Sequence, residues 1–305
     1  MHPALKRLET QFQPSGLSRI TDPLLEQKQV TLWLKRDDQL HPILSGNKWR
    51  KLKYSLNHAL GLGCRRLISM GGTYSNHLHA LAYAGKALGL PTTAYIRGEP
   101  PTPLTPTLQD AQDWGMQLKF ISRGDYRILR SYKAWDSLPD WQAGDYWLPE
   151  GGAQPLALQG VAELVTELAI PYQWLCVPCG TGATLAGLAA AVAPPSQVLG
   201  FAALKNAGFL REDVAQLLPQ PQQNWHINLD YHCGGFAQTT PALLAFIRDF
   251  QADHGIALEP VYTGKMLLGL YELIQNGVFA PGTTIIAVHT GGLQGNRGFP
   301  PCTDN

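Results

Sequence analysis

The chain has 305 residues, 45% of them apolar, and a formal net charge of +1 at pH 7. That length allows one large or two moderate domains, and the near-neutral balance leaves no electrostatic footprint for nucleic acid or an anionic membrane. Five cysteines do not make a disulfide framework in a chain this long, and the longest apolar run, residues 183–193, is too short to span a bilayer. The start Met1-His2-Pro3-Ala4-Leu5-Lys6 lacks the layout of a signal peptide, so a cytoplasmic protein with reduced thiols is the expectation.

Residues 1–29 hold Pro14, Gly16 and Pro23 with few apolar repeats and read as a mostly irregular arm. Val30–Lys35 reads as a strand, and Arg36-Asp37-Asp38 opens a loop toward Ser45-Gly46-Asn47-Lys48. There Asn47 suits an N-cap, and Trp49, Leu52, Leu56 and Leu60 follow at helical spacing. A strand at Arg66–Met70 runs into Gly71-Gly72, and the next helix spans Asn76–Leu88, capped by Ser75 and stopped by Gly89. Thr92–Ile96 is a strand, Leu104–Trp114 a helix and Gln117–Ile121 a strand. Residues 122–144 read as a helix plus a connecting segment.

Alternation resumes with a strand at Tyr146–Pro149 and a helix at Pro155–Ala169. A strand at Gln173–Val177, a glycine-rich turn and a small-residue helix to Val192 form the next unit. Strands near Gln197–Ala202, Asn224–Asp230 and Thr283–Val288, with helices at Pro241–His254 and Tyr262–Gln275, complete the pattern. Strand and helix in alternation imply α/β architecture with mainly parallel sheets.

Three glycine-bearing turns fall directly after predicted strands, the end of an open α/β sheet where ligands bind. They are Gly71-Gly72-Thr73-Tyr74-Ser75-Asn76-His77, Cys179-Gly180-Thr181-Gly182-Ala183-Thr184 and His289-Thr290-Gly291-Gly292. The second has neither the Lys-Ser/Thr pair of a Walker loop nor the third glycine of a dinucleotide fingerprint, so one phosphate monoester is the better fit. Lys48 lies in the first turn of a helix, where the dipole and the cations Arg50 and Lys51 disfavour another ammonium and favour a nucleophilic amine. An activated lysine, a phosphate turn and a polar Ser-Asn-His turn together suggest pyridoxal phosphate.

In these motifs the sequence resembles the pyridoxal-phosphate enzymes of the tryptophan-synthase-β fold (fold type II). The specific branch is that of 1-aminocyclopropane-1-carboxylate deaminase and D-cysteine desulfhydrase. Lys35-Arg36-Asp37-Asp38, Gly46-Asn47-Lys48-Trp49-Arg50-Lys51-Leu52, the three turns above and Glu259-Pro260-Val261-Tyr262-Thr263-Gly264-Lys265 carry the resemblance in order. It implies that Lys48 is the Schiff-base lysine, that Asn76 bonds the cofactor's ring hydroxyl, and that Gly180, Thr181, Gly182, Ala183 and Thr184 hold its phosphate. Thr290 would face the pyridine nitrogen. Ser75 and His77 would lie at the substrate carboxylate, and Tyr262 would face the substrate as an acid/base or orienting group. The resemblance also implies a homodimer.

Two departures bear on substrate. Thr263 stands where the cyclopropane deaminases carry Glu, as it does in the D-cysteine desulfhydrases. Tyr74 replaces a glutamine usual in both groups and belongs to the substrate pocket. The expected reaction is β-elimination from a small amino acid, D-cysteine or a relative, giving a keto acid and ammonia. The alternatives are deamination of another small amino acid, 1-aminocyclopropane-1-carboxylate included, and non-catalytic binding of cofactor or amino acid on the same scaffold. A large domain of residues 1–51 and 145–305 and a small one of 52–144 are expected, with Lys48 at their junction.

The remaining motifs read as structural. Cys176-x-x-Cys179 sits at a strand end where small buried residues belong, and no metal is expected there. His226, His232 and Cys233 read as loop polarity, and Lys265 as a residue on the exposed or interface side of its helix.

Overall fold

A computed structural model describes residues 1–131, 138 and 140–299 of the chain. Two sheets organise it. The larger has the order β1 (Leu17–Ile20), β2 (Thr31–Lys35), β10 (Thr284–Val288), β7 (Trp174–Cys179), β8 (Gln197–Ala202) and β9 (Trp225–Asn228). The smaller has the order β5 (Met116–Ile121), β4 (Thr92–Arg97), β3 (Arg66–Gly71) and β6 (Asp145–Trp147). Among the described residues only β1 pairs antiparallel, with β2, and every other pairing is parallel. This is the α/β architecture that the alternating pattern implies. β6 pairs with β3 (Ile68↔Trp147), so residues 145–147 join the smaller sheet although the expected boundary at 144/145 sets them with the larger unit.

Local chemistry accounts for the best-marked helices. In α4 (Asn76–Leu88) the Ser75 hydroxyl accepts the Leu78 N–H at 3.3 Å, and Gly89 ends the helix at φ +66°. Thr105 caps α5 (Pro106–Asp113) and Thr240 caps α10 (Pro241–His254), each followed by a proline whose missing N–H costs nothing at that position.

The N-terminal arm departs from the irregular reading. It forms α1 (Pro3–Glu9), capped by His2, then β1, then α2 (Pro23–Lys28), capped by Asp22. Each piece is too short to show a period, and all three are held by what they pack on: Leu5 and Leu8 enter the core around α3 (Gly46–Gly61) and α4, and Ile20 and Leu25 the core under the larger sheet. The short helix α9 (Leu210–Leu217) escapes detection for the same reason, since Leu210 and Val214 alone are buried. In the 122–144 segment, α6 (Arg123–Ser131) is present, and residues 132–137 and 139 lie outside the described residues.

α3 (Gly46–Gly61), α7 (Pro155–Thr166) and α8 (Ala183–Ala191) stack by backbone approach. A Cβ on Gly160 would stand 1.9 Å from the Arg50 carbonyl oxygen, and one on Gly187 would stand 2.6 Å from Val161 Cβ. Glycine at these two positions sets the distance between the three helices. That distance brings the start of α3 to the ends of β7 and β10.

Candidate active site

The carboxyl ends of β3, β4, β6, β7 and β10 converge on one cavity of about 420 Å³. Its wall includes Lys48, Tyr74, Ser75, Asn76, His77, the whole of Gly180–Thr184, Tyr262 and Thr290. Every site residue expected from the sequence therefore lines one space. Lys51, Arg97, Arg130 and Glu150 line it too and were not anticipated.

Helix α3 starts two residues earlier than its sequence suggests. Ser45 is the N-cap, and Gly46 at φ +63° lies so close to the C-terminal turn that a Cβ there would stand 1.8 Å from the Thr290 carbonyl oxygen. Only glycine fits. The Asn47 N–H donates to that same oxygen at 3.3 Å. Asn47 is thus not the cap; its side-chain amide donates to Thr184 Oγ1 at 3.0 Å, and its Oδ1 accepts from Lys48 Nζ at 2.6 Å. It joins the lysine to the first turn of α8.

The Lys48 amine is lowered to about 8, chiefly because burial strips water from its charged form, with the Glu259 carboxylate pulling partly the other way. Burial, rather than the neighbouring cations Arg50 and Lys51, is the cause. Lys51, one turn along the same face, is 4% exposed and donates to the Gly151 carbonyl. Burial first and the neighbouring Lys48 second hold it well below the ordinary lysine value. The spacing of three between the two lysines was a visible signal of a shared face. What it could not show was that the face is buried.

The Gly180–Thr184 turn enters α8 through Gly182 at φ +76°, and no side chain caps the helix. Its first-turn N–H groups and dipole are therefore free of any side-chain competitor for an anion. A Cβ on Gly182 would meet Val214 Cγ2 at 2.6 Å, so a larger residue is excluded by backbone conformation and by packing behind the turn. Gly180 lies against the Tyr262 ring, its would-be Cβ 3.2 Å from Cε1.

Across the cavity, Ser75 keeps a hydroxyl proton to donate because its oxygen already accepts from Leu78 N–H. Asn76 Oδ1 accepts from Gln294 Nε2 at 2.8 Å, which orients its amide. His77 is 2% exposed and turned back into the protein. Ser69 gives its hydroxyl proton to Leu148 O at 2.7 Å, so the 3.0 Å contact between Ser69 Oγ and His77 Nε2 requires Nε2–H as donor. Nδ1 is left buried without a partner. Burial, then Lys51 and Lys48, keep this imidazole neutral, well below the usual histidine range.

Tyr262 stands at the N-cap position of α11 (Thr263–Gln275) without a capping bond from its side chain, and its ring centroid lies 5.9 Å from Lys48 Nζ. Burial first and Glu259 second raise its phenol, which stays protonated at neutral pH. Glu259, 1% exposed, accepts from the backbone N–H groups of Val261 (2.8 Å), Tyr262 (2.9 Å) and Thr263 (2.5 Å), and so fixes the turn that aims the phenol. A carboxylate a few residues before a helix is a readable signal, and in the sequence it was only part of a longer motif. Thr263 is fully buried behind Tyr262.

Lys265 corrects the sequence reading. It is 1% exposed and donates to the carbonyls of His232 at 2.8 Å and Gly235 at 2.7 Å, pinning the loop that carries Phe236 beside the Tyr262 ring.

The Lys35-Arg36-Asp37-Asp38 motif builds a different centre. Arg50 donates to Asp37 (2.5 and 2.8 Å) and Glu167 (2.8 and 2.8 Å), and Lys35 donates to Glu167 at 2.6 Å. This network ties α3 to β2 and to the residue after α7. Cys176 and Cys179 are buried thiols, Cys179 pushed up to about 12 by burial. Among the described residues no group of three His, Cys, Asp or Glu side chains could hold a metal ion, and no helix is long and apolar enough to cross a membrane.

Residues 18–291 match the family described as pyridoxal-phosphate dependent enzyme. A bifunctional D-cysteine desulfhydrase/1-aminocyclopropane-1-carboxylate deaminase of Arabidopsis thaliana is 28% identical over 87% of this chain and 73% of its own. A D-cysteine desulfhydrase of Yersinia pestis is 26% identical over 93% of this chain and 92% of its own. A crystal structure of a 1-aminocyclopropane-1-carboxylate deaminase homologue superposes with a TM-score of 0.78 at 26% identity, over 97% of both chains.

Proposed function

The chain belongs to the pyridoxal-phosphate dependent enzymes, and we propose that it eliminates the β-substituent of a small D-amino acid such as D-cysteine, releasing a keto acid and ammonia. The observation that carries this reading is the Lys48 amine, lowered to about 8 and opening on the cavity 5.9 Å from the Tyr262 ring. The residues present fit the cofactor. The uncapped start of α8 and the Lys51 amine suit its phosphate, Lys48 its aldehyde, Asn76 its ring hydroxyl, and the Thr290 hydroxyl on the cavity wall its pyridine nitrogen.

When bound, pyridoxal phosphate supplies an electron sink that makes the α-proton of an attached amino acid acidic. Lys48 Nζ would hold the cofactor, and the same amine, lowered to about 8 by burial, is the group placed to take the substrate's α-proton. Tyr262 keeps its phenolic proton and can donate it to the departing β-substituent. Glu259 holds the Tyr262 backbone so that the phenol stays aimed. Ser75 O–H orients the carboxylate, and Phe236 beside Tyr262 limits the entry of water.

Opening a cyclopropane ring asks more of the electron sink, because no leaving group sits next to the bond that breaks. A carboxylate after Tyr262 could support a proton on the pyridine nitrogen; the buried Thr263 cannot. The test is pyruvate and ammonia release by the cofactor-loaded enzyme from D-cysteine, β-chloro-D-alanine, their L-isomers and 1-aminocyclopropane-1-carboxylate. Elimination from the D-substrates with little ring opening is expected. Robust ring opening would remove the argument from Thr263, activity confined to L-isomers would remove the D-preference, and cofactor binding without any turnover would leave a binding protein.

A further inference from the structure

The cavity holds more basic side chains than a phosphate and a reactive amine require. Its lining includes Lys48, Lys51, Arg97 and Arg130 and one carboxylate, Glu150. Glu150 is used on both oxygens: Oε1 accepts from the Tyr126 hydroxyl at 2.6 Å, and Oε2 faces Arg130 Nε at 3.0 Å. Arg97, the last residue of β4, has no acidic partner among the described residues. Its guanidinium lies over the Tyr126 ring, 5.7 Å from the centroid. Tyr126 is 4% exposed and held by Glu150, so it forms a fixed shelf on which the guanidinium is pre-oriented.

The turn beside Arg97 is Gly72–Asn76. A Cβ built on Gly72 would stand 3.8 Å from Arg97 Nη2, so the guanidinium borders the turn's backbone. Under the reading above this turn receives the carboxylate of an amino acid, yet it contains no cation. His77 is buried, with Nε2 committed to Ser69. Ser75 and the backbone offer neutral hydrogen bonds, and the reading above assigns Lys48 and Lys51 to the cofactor.

We propose that Arg97 supplies the positive charge that recognises the substrate's α-carboxylate, while Ser75 and the turn supply its neutral hydrogen bonds. The proposal rests on the cavity being an amino-acid site. It makes Arg97 a specificity residue that separates amino acids from plain amines, whatever their side chain.

Glycine and methylamine are the probes, since they differ by the carboxylate and neither has a β-substituent to lose. Each is titrated into the cofactor-loaded enzyme and followed by the cofactor's visible absorbance. Arg97→Gln should raise the Kd of glycine about five- to tenfold and leave that of methylamine within about twofold, with Arg97→Lys in between. Salt should weaken glycine binding in the wild type and have less effect in Arg97→Gln. Equal weakening of both probes, in either variant, would mean that Arg97 only shapes the wall through Tyr126. An unchanged glycine Kd would mean that the turn suffices alone. Either result overturns the proposal. A wild-type protein that acquires no cofactor absorbance would instead overturn the reading of the site on which it rests.

Discussion

Lys48, Arg50 and Lys51 lie within four residues at the start of one helix, and the protein treats them in opposite ways. Arg50 faces β2 and α7, is 3% exposed, and meets two carboxylates, Asp37 and Glu167. Burial opposes its charge, but those partners outweigh burial and strengthen its hold on the proton. Lys48 and Lys51 face the cavity and, among the described residues, meet no carboxylate in direct contact; burial dominates, and both are weakened as ammonium ions. A buried cation with matched anions is architecture. One without them is poised for a ligand that brings its own charge.

The sharpest way to break this contrast is at Lys48. Lys48→Ala should abolish both the cofactor's covalent absorbance band and turnover, whereas Lys51→Met should keep the band and weaken cofactor affinity by roughly tenfold or more, read by equilibrium titration. A Lys51 variant that loses the band while Lys48→Ala keeps it would exchange their roles. Next in size, Arg50→Met leaves the buried Asp37 and its neighbour Glu167 with Lys35 as the remaining cation between them. It should cost about 3–5 kcal/mol of stability in denaturant titration, with the residual folded protein still acquiring the band. Normal stability with a lost band would place Arg50 in the chemistry instead.

The smallest effect is a pH slope in the cofactor-free protein. Between about 8 and 10.5 the unfolded chain binds a proton on Lys48 that the folded chain does not. Stability should therefore rise with pH across that window, by at most about 1.4 kcal/mol per unit from this group. Lys48→Met should flatten the slope, as seen in melts at fixed ionic strength; an unchanged slope would mean that the amine is not depressed.

The sequence made some of this plain and hid the rest for identifiable reasons. Helix α4 was legible to the residue because Ser75 and Gly89 are local signals acting on their own neighbours. The glycine turns were legible because strand, glycine and helix follow one another in the chain. Asn47 misled because a good capping residue was claimed by a distant partner, Thr184. Lys265 misled because amphipathic spacing cannot reveal that the loop at residues 232–237 folds over it. Lys51, Glu259 and Arg97 carried recognisable chemistry, but their value depends on burial and on neighbours far along the chain. Helices α1 and α2 lacked length for a period, and only the cores they enter account for them.

The placement of β10 reaches beyond the finished molecule to its making. This strand comes last in the order of the sheet-forming segments, yet it lies between β2 and β7 in the larger sheet, and its turn supplies the carbonyl against which Gly46 closes. A chain emerging from the ribosome can complete the smaller sheet once residue 147 is free. It cannot seat the start of α3 until residues 284–292 have also appeared. Until then β2 has lost one neighbour, β7 another, and the lysine has no cavity to open on. A chain that ends before residue 284 therefore lacks both the strand between β2 and β7 and the carbonyl on which Gly46 rests, and it is expected to bind no cofactor.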